Sequence, residues 1–221
     1  MSCVSSDSHL RVFDLRTPIS ASYHLAVKIP VHMHTPSSPH SALPVSQPPP
    51  PPPPPGQSPL ARPPPIPPPA VPAEVLTHDW NKYREPVVAT GGVDRAVRTF
   101  DIRSPSAGPL SLMLGHDYAV RRLAWSPHAA DILVTASYDM TVRLWTDGST
   151  MPPPPGQGPP QMPQQPQQQP QHGVQLGVMN RHTEFATGVD WCLFGVGGWV
   201  ATVGWDERLL CWDANMMLRG R

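Results

Sequence analysis

Apolar residues alternate with polar ones in short runs along this chain, and each run ends at a turn residue. The clearest set lies between Gly115 and Trp145. Val120, Leu123 and Trp125 mark a first strand, stopped by Ser126-Pro127. Ile132, Val134 and Ala136 alternate in a second, and Val142, Leu144 and Trp145 mark a third. Period-two alternation bounded by turn signals predicts half-buried strands. Tyr138-Asp139-Met140 predicts a tight turn between the second and third.

Worn copies of this unit recur. Ser5-Ser6-Asp7 precedes alternating Leu10, Val12 and Phe13, so the chain is entered in mid-repeat. Tyr23, Leu25, Val27 and Ile29 then read as an outer strand. Residues 73–104 repeat the unit, with strands at Glu74–Trp80, Pro86–Asp94 and Ala96–Asp101, and with Phe100 where the strong copy has Trp. Residues 174–215 repeat it again and end in Trp212-Asp213. Trp80 and Trp125 stand about 45 residues apart, the period of a β-propeller blade. With its Gly-His opening and Trp ending, the 115–145 unit has the signature of one WD repeat.

Two stretches cannot join a sheet. Residues 30–72 include eight consecutive prolines at 48–55, and 148–173 are rich in Pro and Gln. Proline lacks an amide donor and fixes φ, so these segments read as polyproline II or disorder. The predicted layout is a partial blade at 1–29, an insert at 30–72 and two repeats at 73–147. A second insert at 148–173, a repeat at 174–215 and a tail at 216–221 complete it. The expected fold is all-β, a partial WD-repeat propeller of about three to four blades out of roughly seven, interrupted by disordered Pro-rich segments. So few blades cannot close a ring, which points to a fragment or to pairing with another chain. Each insert is expected between blades or in an outer strand.

Candidate chemistry is sparse. His116, Ser137 (or Thr135), Asp139 and Trp145 resemble a catalytic set. Their places in the repeat favour a structural tetrad that ties the loop before the first strand to the second and third strands. The repeat at 73–104 lacks a Gly-His pair, because Pro-rich sequence stands there, so its tetrad is expected to be incomplete. No nucleophile–base pair is left over, so neither an enzyme nor a cofactor is expected. His32 and His34 flank Met33 without a third ligand nearby and read as mobile surface histidines, not a metal site. Arg62-Pro63-Pro64-Pro65-Ile66-Pro67-Pro68 fits an SH3-ligand pattern, although so Pro-rich a stretch yields such matches by chance.

Composition narrows the partners. The formal net charge is zero and 14% of residues are charged, so no basic field favours nucleic acid or an anionic membrane. Cys3, Cys192 and Cys211 form no Cys-x-x-Cys pair, so neither a zinc site nor a disulfide framework is indicated. No apolar run nears the ~20 residues of a membrane span, so direct membrane insertion is not expected. The first residues lack a signal-peptide pattern.

Several words are more specific than the repeat itself. They are Ala73–Leu76 with Asp79–Tyr83, Gly115–Arg122, His182–Phe185 and Gly204–Glu207. In these the chain resembles the carboxy-terminal half of the peroxin-7 family, the WD-repeat receptors for the type-2 peroxisomal targeting signal. The Pro-rich inserts are not part of that pattern. The resemblance implies a cytoplasmic receptor that cycles to the peroxisome. It implies as partners cargo proteins with an amino-terminal targeting nonapeptide, a co-receptor peroxin and a peroxisomal docking complex. The peptide would bind as a helix across one face of the propeller. A generic WD-repeat scaffold, and a ligand role for the polyproline segment, are the competing readings.

Alignment of the repeats on Trp80, Trp125 and Trp191 suggests the contact positions. Glu74, Ala119 and Phe185 fall together, as do Leu76, Arg121 and Thr187. Val93, Tyr138 and Trp205 precede the turn aspartates. We expect Glu74, helped by Glu184, to meet the basic residue of the targeting helix, and Phe185, Tyr138 and Trp205 to pack its apolar face. Arg121 would repel a basic peptide, which suits an internal acid or an acidic co-receptor instead.

Overall fold

The structure is a computed structural model, and it describes residues 1–16, 23–34, 71–150 and 170–218. Its strands are β1 (Ser2–Val4), β2 (His9–Phe13), β3 (Leu25–Pro30), β4 (Met33–His34), β5 (Val71–Pro72), β6 (Val75–Trp80), β7 (Val87–Gly92), β8 (Val97–Asp101), β9 (Ser111–Met113), β10 (Val120–Trp125), β11 (Ile132–Ser137), β12 (Val142–Thr146), β13 (Gln171–His172), β14 (Val174–Met179), β15 (Ala186–Trp191), β16 (Trp199–Gly204) and β17 (Leu209–Asp213). One short helix, α1 (Asn215–Leu218), follows.

The strands form four blades of antiparallel meander. Blade one is β1-β2-β3, and blade two is β6-β7-β8-β9. Blade three is β10-β11-β12-β14, and blade four is β15-β16-β17. Buried side chains alternate along β2 (Leu10, Val12), as the sequence pattern requires of a sheet that faces a neighbour on one side. In β7 every residue is buried, since blades lie against both of its faces.

The core lies between blades. Leu10, Ile29, Val88 and Phe100 join blades one and two. Val97, Leu123, Trp125 and Trp145 join two and three. Val134, Leu144, Val189 and Val200 join three and four. Inner strands β6, β10 and β15 are neighbours, and polar bonds lock their register. Trp125 N–H donates to Asp79 at 2.8 Å, and the Trp191 indole donates to the Ala124 carbonyl at 3.1 Å. Beyond β6, the Asn81 amide donates to the Ala130 carbonyl at 2.8 Å and the Tyr83 hydroxyl to the Pro127 carbonyl at 2.6 Å. Arg84 adds an ion pair with the buried Asp147. The Asp79–Tyr83 word is thus a clasp between blades two and three.

The structure corrects the layout at both inserts. Val31 and His32, placed by sequence inside the first insert, are 3% and 0% exposed. Strands β4 and β5 then pair antiparallel, so the chain leaves and re-enters blade two as a two-stranded ribbon. Residues Val174–Met179, grouped by sequence with the last repeat, instead form the outer strand of blade three, where Val142 stands opposite Met179. Just before them, β13 pairs in parallel with β9 of blade two. Gly173 makes this crossing possible, because a Cβ there would sit 2.3 Å from Met113. The SH3-like stretch Arg62–Pro68 lies outside the described residues. Among the described residues no helix is long and apolar enough to cross a membrane, and no cluster of metal-ligating groups occurs.

Candidate functional site: a rim of aromatic side chains

The site begins with the turn between the second and third strands of each blade. Ser8, Arg95, Met140 and Glu207 all have left-handed backbone, with φ of 65°, 66°, 64° and 60°. A left-handed residue at the end of a four-residue turn closes such hairpins. The preceding aspartate makes the turn cheap. Asp94, Asp139 and Asp206 each accept the backbone N–H two residues on, at 3.3, 3.0 and 3.3 Å.

Those aspartates also reach back to the loop before the inner strand. His116 Nδ1 lies 2.8 Å from Asp139, and its Nε2 lies 2.7 Å from the Thr135 hydroxyl. The Trp145 indole donates to the same hydroxyl at 2.9 Å. One arrangement gives every group a donor and an acceptor. Trp145 donates to Thr135, Thr135 to His116 Nε2, and His116 Nδ1–H to Asp139. Asp139 accepts the Asp117 N–H as well, at 3.1 Å.

The hydroxyl in this network is therefore that of Thr135. Ser137, expected in that role, lies one pleat nearer the turn. It donates to the Tyr118 carbonyl at 3.1 Å and accepts the Asp139 N–H. His182, Thr202 and Asp206 repeat the arrangement in blade four, with bonds of 2.9 Å to Thr202 and 3.0 Å to Asp206.

Blade two has the His–Thr–Asp part of the arrangement too, so its histidine is present against expectation, although the tetrad still lacks its fourth member. His32 Nδ1 lies 2.6 Å from Asp94, and its Nε2 lies 3.0 Å from Thr90. His32 is thus a fully buried structural histidine, not a mobile surface one. Sequence proximity missed it, because residues 35–70 separate it from the inner strand. The side chain of His34 lies outside the description. Phe100 takes the Trp place and has no indole N–H to donate.

Electrostatics follow from this packing. Burial raises the Asp94 carboxyl, but the bond from His32 and the charges of His32 and Arg98 outweigh it and hold the group down at about 2. Asp139 is likewise held well below the usual carboxylate range by His116 and Thr141, against the pull of burial. Burial pushes His116 below its ordinary value, partly opposed by Asp139. Around Asp139 the network is an ionised carboxylate beside an imidazole whose charged form burial disfavours, enclosed and built for support.

Above each tetrad the backbone binds two rim positions together. Val93, Tyr138 and Trp205 N–H groups donate to the carbonyls of Glu74, Ala119 and Phe185, at 2.9, 3.1 and 2.9 Å. The approach is close. At Gly92 a Cβ would meet the Glu74 carbonyl oxygen at 2.3 Å. Each inner strand then carries a bulge at the same place, between Val75 and Thr77, Val120 and Arg122, and Ala186 and Gly188. The residues passed over are Leu76, Arg121 and Thr187.

These constraints bring three expected site residues into one cluster. The rings of Tyr138 and Phe185 are 5.0 Å apart, those of Phe185 and Trp205 5.1 Å, and those of Tyr138 and Trp205 6.4 Å. The cluster spans blades three and four, and Trp205 is 64% exposed. Tyr118 and Met140, also on the rim of blade three, are 63% and 39% exposed. Met140 was not foreseen, although its place just after the turn aspartate could have marked it. Glu184 is exposed beside Phe185 in the chain. Glu74 is exposed on blade two, beside Val93, so the two acids stand on different blades. Arg121 is exposed at its bulge.

Known proteins resemble this chain. The WD domain, G-beta repeat model matches residues 108–146. A peroxisomal targeting signal 2 receptor of Saccharomyces cerevisiae is 38% identical over 158 residues, covering 63% of this chain and 40% of that protein. Its counterpart in Komagataella phaffii is 40% identical over 153 residues, covering 65% and 39%. Peroxisome biogenesis protein 7 of Arabidopsis thaliana is 35% identical over 108 residues, covering 49% and 27%. The chain spans about two-fifths of the length of the yeast relatives. It is an all-β WD-repeat chain that, over nearly two-thirds of its length, is similar to peroxisomal targeting signal 2 receptors.

Proposed function

We propose that this chain contributes the peptide-binding rim of a receptor for the type-2 peroxisomal targeting signal. The amino-terminal targeting peptide of a cargo protein lies as a helix across the rim. Its apolar face packs on Tyr138, Phe185 and Trp205, and its basic residue meets Glu184 or Glu74. Arg121 faces an acidic element, most simply on the co-receptor peroxin that covers the peptide. The loaded receptor leaves the cytoplasm for the docking complex of the peroxisome and then recycles. No cofactor, nucleic acid or direct membrane insertion enters this reading.

The observation that carries the proposal is the aromatic cluster. Three rings from two blades gather at the rim, and the exposed Glu184 adjoins Phe185 in the chain. An amphipathic helix binds through apolar anchors at one-turn spacing, which such a cluster provides. The rings supply more of the affinity than the acids, because an exposed ion pair contributes only ~0–1 kcal/mol.

Fluorescence anisotropy of a labelled type-2 signal peptide, titrated with the whole chain, tests this. A scrambled peptide is the control. We expect saturable binding of the signal peptide alone, weakened up to about fivefold by Glu184→Lys or Glu74→Lys. Equal binding of the scrambled peptide would make the chain a WD-repeat scaffold without this specificity.

A further inference from the structure

Lysine is scarce in this chain. Of its 16 Lys and Arg side chains, two are lysines, Lys28 and Lys82. Lysine carries the primary amine that acylating modifications use. The structure puts the two amines in different situations.

Lys82 belongs to the clasp between blades two and three. Its Nζ donates to both carboxylate oxygens of Asp79, at 2.8 and 3.0 Å. Asp79 also accepts the Trp125 N–H. An acyl group on Lys82 would take a charge out of this contact. The terminal amine of Met1 is engaged as well, and donates to the Phe13 carbonyl at 3.0 Å.

Lys28 is different. It is exposed on β3, the outer strand of blade one, where Ile29 takes the covered face. Among the described residues its amine has no hydrogen bond or ion pair. Arg11, which stands opposite, is paired with Asp7. The same place is open in a blade with neighbours on both sides. In blade three Arg143 follows Asp139 by four residues, as Arg11 follows Asp7, and the residue opposite Arg143 is Val178. Val178 is 39% exposed although blades two and four flank it.

We propose that Lys28 is the attachment site of a ubiquitin-type modifier protein. The modifier arrives as a thioester of its carboxyl terminus on a carrier enzyme's cysteine. The Lys28 amine attacks the thioester carbonyl carbon. The C–N isopeptide bond forms, the C–S bond breaks, and the proton shed by the amine goes to the leaving thiolate. A small acyl group fits the place less well, because the amine pairs with nothing and the loss of its charge alters no contact. A bulky tag needs no such contact to act. It sits on blade one, away from the aromatic cluster of blades three and four, and uses none of the rim residues.

The test incubates the whole chain with ubiquitin, ATP, an activating enzyme and a broad-specificity conjugating enzyme, and quantifies tryptic diglycine remnants by mass spectrometry. Lys28 should carry at least about fivefold more remnant than Lys82, the factor by which an exposed ion pair holds the Lys82 amine back. Lys28→Arg should lose most of the conjugate at an unchanged thermal midpoint, and Lys82→Arg should keep it. The proposal is overturned by a wild-type chain left unconjugated beside a conjugated control protein, by conjugate that persists in Lys28→Arg, or by remnant shared equally between the two lysines. An acetyl group without remnant on Lys28, in chain recovered from eukaryotic cells, would give the site to a small acyl donor and would overturn it too.

Discussion

The backbone N–H of Trp205 donates to the carbonyl of Phe185 at 2.9 Å, and the two rings lie 5.1 Å apart at 49°. One bond thus fixes the spacing of two aromatic anchors, the half-buried Phe185 and the exposed Trp205, that come from different parts of the repeat. The aspartate beside Trp205 in turn holds His182, three residues before Phe185. Rim and tetrad are therefore one mechanical unit, and mutations can separate support from recognition.

Trp205→Ala should weaken the signal peptide by about tenfold or more, since truncated anchors at binding surfaces cost about 2 kcal/mol or more. Its side chain is mostly exposed, so the urea midpoint should move little. Titration calorimetry beside urea unfolding separates the two readouts. Unchanged affinity would remove Trp205 from the binding surface.

Thr135→Val should destabilise the fold by roughly 1–3 kcal/mol, because it leaves His116 Nε2 and the Trp145 indole unpaired and buried. Ser137→Ala should cost less. Its lost bonds run to the Tyr118 carbonyl and the Asp139 N–H, at the end of the strand. Urea midpoints in that order support Thr135 as the tetrad hydroxyl, and the reverse order would return Ser137 to it.

His32→Ala should destabilise about as much as His116→Ala, on the order of 1–3 kcal/mol, by stripping Asp94 and Thr90 of their partner. A surface histidine would give no change. Both variants can be compared by thermal unfolding of the whole chain.

Stability should fall in two steps as pH is lowered. Burial depresses His116, so the unfolded chain takes up its proton first. This contribution is complete above the ordinary histidine value near 6.5 and is lost as pH drops below it. The depressed Asp94 contributes above its ordinary 3.8, and that contribution is lost as pH falls from there toward about 2. A shift of this size is worth about 2 kcal/mol. Urea midpoints at pH 7.5, 5.5 and 3 would show both steps, and a flat profile from 7.5 to 5.5 would contradict the buried neutral imidazole.

The sequence disclosed what depends on local pattern. Alternation placed β7, β8, β11 and β12, while alignment on the tryptophans picked out Phe185 and the place before each turn aspartate picked out Tyr138 and Trp205. It failed where a partner comes from afar. His32 reaches Asp94 across residues 35–70, and no short-range pattern marks a histidine for a blade it precedes by so much chain. Thr135 and Ser137 share one face of β11, so period alone cannot choose between them. Distance to the turn decides. Val174–Met179 carries a strand pattern, but which blade it joins depends on which edge is open.

The bulge in each inner strand has a consequence for how such a rim can change over generations. Leu76, Arg121 and Thr187 sit where the register skips a residue, so the ladder places no demand on their side chains. One is aliphatic, one cationic and one hydroxylic, on three blades of the same build. A rim of this kind can be rewritten residue by residue for a new partner while the sheet beneath it keeps its pairing.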